Sequence, residues 1–162
     1  MTRRTATLLA AATALAALMP GALLAQSDGP LEDNADGTPQ GLEIFDATDV
    51  TLDDFLWQKR PVIVFADTPA DPRFNEQMAM LTARPYDLIA RDVVVITDTD
   101  PAAETAIRRK LRPRGFQVTL IGKDGQVELR KPSPWSSREL SRSIDKMPLR
   151  QQEVREQKAG AG

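Results

Sequence analysis

The chain of 162 residues carries 21 basic and 23 acidic side chains, a formal net charge of −2, so bulk charge offers no argument for a nucleic-acid partner. It has no cysteine, which removes disulfides, thiol catalysis and cysteine metal sites, and no histidine, which removes a Ser-His-Asp triad, an imidazole base and the common zinc site. Any catalysis would fall to carboxylates, lysine, hydroxyls or Tyr86.

Arg3 and Arg4 precede an apolar run from Ala6 to Met19, Pro20-Gly21 breaks it, and small residues lead to Ala25. This order is that of a secretory signal over residues 1–25, too short and too interrupted for the roughly 20 residues of a membrane span. The expectation is a periplasmic or secreted protein that starts near Gln26, with no membrane span after cleavage. Residues 26–48 are acidic and poor in apolar side chains and read as a mobile arm. A folded domain is expected over 49–157 and a disordered tail over 158–162. Charge is also split along the chain, since Gln26 to Leu56 holds nine acids and no base while Arg108 to Gly162 holds fourteen bases and six acids. Weak, salt-sensitive contact between the arm and the basic half is the expected consequence.

Within the domain, Thr51 with Asp54 three residues on predicts a short capped helix to about Trp57. Val62 to Ala66 is a continuous apolar run of the kind a buried parallel strand shows. The loop that follows, Asp67 to Pro72, holds two carboxylates and one hydroxyl. Asp71 and Pro72 then open a helix as N-cap and first residue, with Phe74, Met78 and Leu81 on its inner face until Pro85. Val93 to Ile96 predicts a second strand. Asp100-Pro101 repeats the cap-and-proline start for a helix with Ala103, Ile107 and Leu111 inward and Arg108, Arg109, Lys110 and Arg112 in its last turn as solvated, dipole-matched bases. Phe116 to Ile121 and Gln126 to Arg130 flank Gly122-Lys-Asp-Gly125 and predict a hairpin. Ser136 and Glu139 form a capping box before Leu140, Ile144 and Met147, and Pro148 starts a charged tail.

Strand, helix, strand, helix, hairpin, helix is an α/β order with a central mixed sheet of about four strands, and the segment Arg114 to Gln126 resembles the thioredoxin stretch that runs through the cis-proline into the hairpin. Over a longer span, Leu56-Trp-x-x-Arg-Pro-x-x-Val-Phe-Ala66, Arg91-Asp-Val-Val-Val95, Ile121-Gly-Lys-Asp-Gly125 and Ile144-Asp-x-Met-Pro-x-Arg-x-x-Glu153 resemble an uncharacterised thioredoxin- and peroxiredoxin-like domain family of exported bacterial proteins. That family is similar to modules in vertebrate sushi-repeat matrix proteins and has no established activity. In this register Thr68-Pro-Ala-Asp71-Pro72 resembles the peroxiredoxin pattern Thr-x-x-Cys-Pro with Asp71 at the cysteine position, and a carboxylate cannot form a sulfenic acid. Gln117 stands at the cis-proline position, where a cis bond before a non-proline would cost roughly 3 kcal/mol and is therefore expected to be trans.

The resemblance implies a thioredoxin-like frame that has lost redox chemistry. The expected binding residues are Thr68, Asp71, Arg73 and Gln117, brought together at the end of the sheet where thioredoxins place their active site. The expected function is a non-enzymatic module for an envelope protein or small polar ligand, with no cofactor, metal or nucleic acid. The alternative is a carboxylate-based or metal-assisted enzyme using Asp67 and Asp71.

Overall fold

A computed structural model describes residues 41–161. The expected signal segment, and the arm up to residue 40, lie outside the described residues. Five strands, β1 (Ile44–Asp46), β2 (Arg60–Phe65), β3 (Val93–Asp98), β4 (Gln117–Ile121) and β5 (Val127–Lys131), form one sheet in the order β1-β3-β2-β4-β5. β1 and β2 run parallel to β3, with Arg60 beside Val93 and Phe65 beside Asp98, whereas β4 is antiparallel to β2 and β5 to β4. The expected mixed α/β architecture is present, with one strand more than the sequence suggested.

β2 is buried from end to end and β3 nearly so, which is why both read as unbroken apolar runs. Alternate side chains of the two strands divide between two packed layers. Val62, Val64 and Val95 pack with Leu81 of α1 (Pro72–Thr82), Leu88 of α2 (Pro85–Ile89), and Leu140 and Ile144 of α4 (Ser137–Asp145). Ile63, Phe65, Val94 and Ile96 pack on the other face with Leu52, Phe55 and Ile107 and Leu111 of α3 (Ala106–Leu111). Each such side chain contributes about 1.5–3 kcal/mol when fully buried, so the frame rests on these two layers.

Helix starts follow the local chemistry. Asp71 accepts a hydrogen bond from the Arg73 amide at 2.9 Å with Pro72 in the first turn, and Ser136 exchanges bonds with Glu139 in a complete capping box. Thr51 and Asp54 also pair as expected, but the turn they open is a 3-10 turn, Leu52–Phe55. The hairpin turn closes as predicted, with Gly125 at φ +78°, a conformation that favours glycine. A Cβ there would lie 2.9 Å from Leu56 Cδ2, so this glycine also lets the turn sit against the segment before β2.

Four expectations need correction. The supposed arm already contains a strand: β1 lies inside 26–48, Ala47 is buried and Leu42 and Phe45 pack on the core, because the exposed edge of β3 offers unpaired backbone groups to any extended neighbour. Removing residues 41–48 would therefore take a packed element away. The helix expected from Asp100 is interrupted: Asp100 caps only a 3-10 turn, Pro101–Ala103, Glu104 turns left-handed at φ +43°, and Thr105 caps α3 anew. Ala103 is accordingly exposed and not on an inner face. The charged C-terminal stretch is a helix, α5 (Pro148–Gly160), so residues 158–160 are not a disordered tail. Pro85, expected to end α1, instead begins α2, since α1 already stops at Thr82 with Ala83 as its cap.

Candidate functional site

The strands β2 and β3 end side by side, and the polar groups gathered there form one end of the sheet. Beyond Phe65, the Ala66 amide donates to the Asp98 carbonyl at 2.9 Å. The Asp98 carboxylate, with only 1% of its side chain exposed, accepts from Thr105 Oγ1 at 2.7 Å and from Arg108 Nε at 2.8 Å. Arg108 Nη2 also donates to the Ala66 and Asp98 carbonyls, and its guanidinium stands 5.5 Å from the Phe65 ring centre. Arg108 is thus no solvated dipole-matching base. It staples the ends of two strands, and the break at Glu104 is what sets α3 where its second residue past Ala106 can reach back. The sequence carried a signal for this in the acid that terminates the apolar run of β3.

Over this buried staple lies the loop from Asp67 to Asp71. Thr68 Oγ1 accepts from the Ala70 amide and its carbonyl accepts from the Asp71 amide, so the threonine shapes the turn. The Asp71 carboxylate then receives Arg73 in a two-point contact, Nε to Oδ1 at 3.2 Å and Nη2 to Oδ2 at 2.8 Å, as well as the Arg73 amide. These side-chain bonds first, and the backbone bond second, hold the Asp71 pKa below the ordinary carboxylate value, while the Asp71 bond chiefly, with the Asp67 charge adding to it, raises Arg73. The guanidinium sits 5.2 Å from the centre of the buried Phe116 ring and keeps 51% of its side chain exposed. Asp67 is exposed, and Gly115, at φ +66°, passes close to its carboxylate.

Thr68, Asp71 and Arg73 are therefore neighbours, but Gln117 is not joined to them by its side chain. Val118 and Leu120 belong to the α1 layer, so Gln117 points to the opposite face, where Nε2 donates to Thr119 Oγ1 at 2.8 Å. Its peptide bond is trans as expected, since the described residues contain no cis bond. Phe116, the residue before it, is the one that reaches the site. Sequence reasoning passed over it because it stood only as the first residue of a predicted strand.

Chemically, this end offers a fixed, half-exposed guanidinium over an aromatic plane, flanked by an exposed carboxylate and a hydroxyl. A guanidinium held in this way is suited to recognising carboxylates and backbone carbonyls. Both oxygens of Asp71 are engaged by Arg73, and among the described residues no group of three or more acids is placed to hold a metal ion. The enzymatic alternative built on Asp67 and Asp71 thus finds no support in the geometry.

A second polar centre occupies the other end of the same strands. Arg60, with 1% of its side chain exposed, donates from Nη1 to the Arg91 carbonyl at 3.0 Å and from Nη2 to Glu153 Oε1 at 2.8 Å. Lys123 of the hairpin turn reaches Asp92 at 2.8 Å and Glu153 at 3.1 Å, Arg150 reaches Glu153 and the Ala90 carbonyl, and Arg91 grips Asp145 with two bonds. These are the charged residues of the motifs Arg60-Pro, Arg91-Asp, Gly-Lys-Asp-Gly and Ile144 to Glu153, and the fold collects them in one place.

A five-stranded mixed sheet covered on both faces by helices, in a chain without cysteine, defines a domain of thioredoxin-like fold devoid of thiol chemistry. The Plasmodium vivax 2-Cys peroxiredoxin in its reduced form superposes with a TM-score of 0.50 at 14% identity, over 59% of this chain and 81% of that one, a likeness of fold alone. Chloroplastic thioredoxin z aligns over 64% of this chain and 91% of its own at 15% identity with a TM-score of 0.48. The chain belongs to the DUF4174 family, a domain of unknown function, which it matches over residues 51–153. Coiled-coil domain-containing protein 80 of Danio rerio is 26% identical over 146 residues, 72% of this chain but 16% of that protein, so the likeness concerns one module of a much longer molecule.

Proposed function

We propose that this protein is a non-enzymatic, exported binding module that uses the β2–α1 end of a thioredoxin-like frame to hold a polar group of an envelope protein or a small polar ligand. The observation that carries the reading is the Arg73 guanidinium, gripped by Asp71 and laid over Phe116 while half its side chain stays exposed. A surface arginine normally loses side-chain entropy on binding, and one already held by a carboxylate and an aromatic face loses less. Thr68 and Asp67 add an acceptor and a charge at its margin, and Gln117 contributes its backbone at the start of β4 more than its amide. The order of charged, apolar and small residues over 1–25 supports the periplasmic or secreted location. Among the described residues no helix is long and apolar enough to cross a membrane.

The test is cross-linking capture in the envelope with the natural chain and with Arg73→Ala in parallel. A partner retained by the first and lost by the second, at equal melting temperature, is the expected result. Equal capture by both would remove the β2–α1 end from consideration.

A further inference from the structure

Residue Glu153 occupies a position that its own helix does not explain. No residue of α5 is buried, although the helix runs for 13 residues, so it lacks the apolar stripe by which helices ordinarily dock. Its attachment is polar: Glu153 to Arg60 and Lys123, and Arg150 to the Ala90 carbonyl. The seat is also imperfectly satisfied, because Arg150 Nε is buried without an acceptor among the described residues, an arrangement that costs free energy.

The receiving groups, by contrast, are held without α5. Arg60 begins β2, donates to the Arg91 carbonyl and lies 3.8 Å from Asp92, and Lys123 is bonded to Asp92 from the hairpin turn. Without Glu153, Arg60 and Lys123 share Asp92 as their one directly paired carboxylate among the described residues. A cavity of about 370 Å³ adjoins them at the junction of α4 and α5, with Arg60 and Lys123 on one side, Met147, Pro148 and Leu149 on another, and the acids Asp124 and Glu128 also in its lining. Lys146 and Met147 alone separate those two helices, so a swing about this junction moves α5 without disturbing α4.

We propose that Arg60 and Lys123 form a carboxylate-binding socket, occupied in this structure by Glu153 of α5, and that α5 is an exchangeable cover which an acidic side chain of a partner protein can displace. The socket takes a carboxylate because Arg60 presents an Nη2–H donor and Lys123 a point charge to the same oxygen, and because Arg60 is buried and Lys123 largely covered. A tethered Glu153 acts at high effective concentration, so the cover stays closed until a partner supplies its acid together with further contacts. The proposal concerns the end of the sheet opposite Arg73 and stands independently of the binding role given to that end.

The full chain carrying Glu153→Ala tests it by chemical rescue, since the deleted group is close to acetate in size and charge. In thermal melts at pH 7, sodium acetate should raise the midpoint of this variant by about 2 °C or more over sodium chloride at equal ionic strength. The natural chain and the double variant Arg60→Met, Glu153→Ala should show no such difference. Amide exchange supplies a second measurement on the natural chain, and it does not depend on the variant folding. Hexaglutamate peptide at millimolar concentration should speed exchange in α5 about tenfold while β2 and β3 keep their protection. Acetate acting no better than chloride on Glu153→Ala would overturn the socket. If hexaglutamate leaves α5 exchange unchanged, or if α5 exchanges only together with the sheet, the exchangeable cover is overturned.

Discussion

The two ends of β2 and β3 use the same pairing, arginine with carboxylate, in opposite ways. At the β2–α1 end a buried pair, Asp98 and Arg108, fixes the strand termini, and in the loop and helix that follow β2 a second pair, Asp71 and Arg73, leaves its guanidinium half exposed. At the other end Arg60, Lys123, Arg150 and Glu153 are largely covered and join three separate segments of chain, with Asp92 more exposed at the margin. Exposed pairs contribute little to stability but present a defined chemical surface, whereas buried ones penalise the loss of either partner. One end thus presents its arginine to solvent, whereas the other keeps its cations covered by a carboxylate of the chain itself.

Arg60→Met should have the largest effect, because it leaves Glu153 and Asp92 near a vacated cation: a loss of about 3–5 kcal/mol in urea unfolding is expected. A loss below about 1 kcal/mol would show that the network is dispensable and would erase the contrast between the ends. Asp98→Asn should cost about 1.5–3 kcal/mol, the range for hydrogen bonds to charged groups, and should raise amide exchange in residues 67–71 more than in α5. Gln77→Leu comes next. Gln77 is fully buried on α1 and clamps the Trp135 backbone from both amide ends, at 2.8 and 2.7 Å, so its loss should cost about 1–2 kcal/mol and free the loop before α4.

Acid titration separates the ends more finely. Burial works to raise the Glu153 pKa, but the bonds from Arg60, Arg150 and Lys123 outweigh it and hold it below the ordinary 4.5. The Arg91 bond likewise lowers Asp145 from 3.8. A lowered carboxylate contributes stability that is fully present above its unfolded value and is lost as pH falls through its folded one. Stability should therefore be level above about pH 5 and decline below about pH 4, and Glu153→Gln should flatten part of that decline. The smallest effect is expected for Arg73→Ala, whose melting midpoint should match that of the natural chain. A marked fall would mean that Arg73 fastens the loop and is not held ready for a ligand.

Much of the frame was legible because it rests on local chemistry. Val62 to Phe65 could be read as a buried strand, Asp71-Pro72 and Ser136 with Glu139 as helix starts, and Gly122 to Gly125 as a turn, since burial, capping and glycine conformation each leave a mark within a few residues. β1 left no such mark, because a three-residue strand in an acidic stretch exists only by virtue of the edge it joins. The candidate site was half legible: Thr68, Asp71 and Arg73 are close in sequence and meet in space, but Gln117 was misjudged because the alternation of β4 turns its amide to the other face. Phe116 and Gln77 were passed over, the first read only as the start of a strand and the second overlooked on an apolar helix face.

The sequence by itself determined that this chain has no thiol chemistry, because the absence of cysteine is a property of composition and no fold can restore it. It also determined the alternation of buried runs and capped helices from which a thioredoxin-like sheet is built. Only the tertiary structure decided which charges are partners. Arg60, Asp92, Lys123 and Glu153 are separated by about 30 residues at each step along the chain, and nothing local distinguishes them from solvated charges. They meet because parallel pairing sets Arg60 beside Val93, the hairpin turn brings Lys123 back to the same end, and α5 lies across it. In water these groups would hardly attract one another; with Arg60 buried by the packed sheet and Lys123 and Glu153 largely covered, the lost hydration makes their pairing necessary.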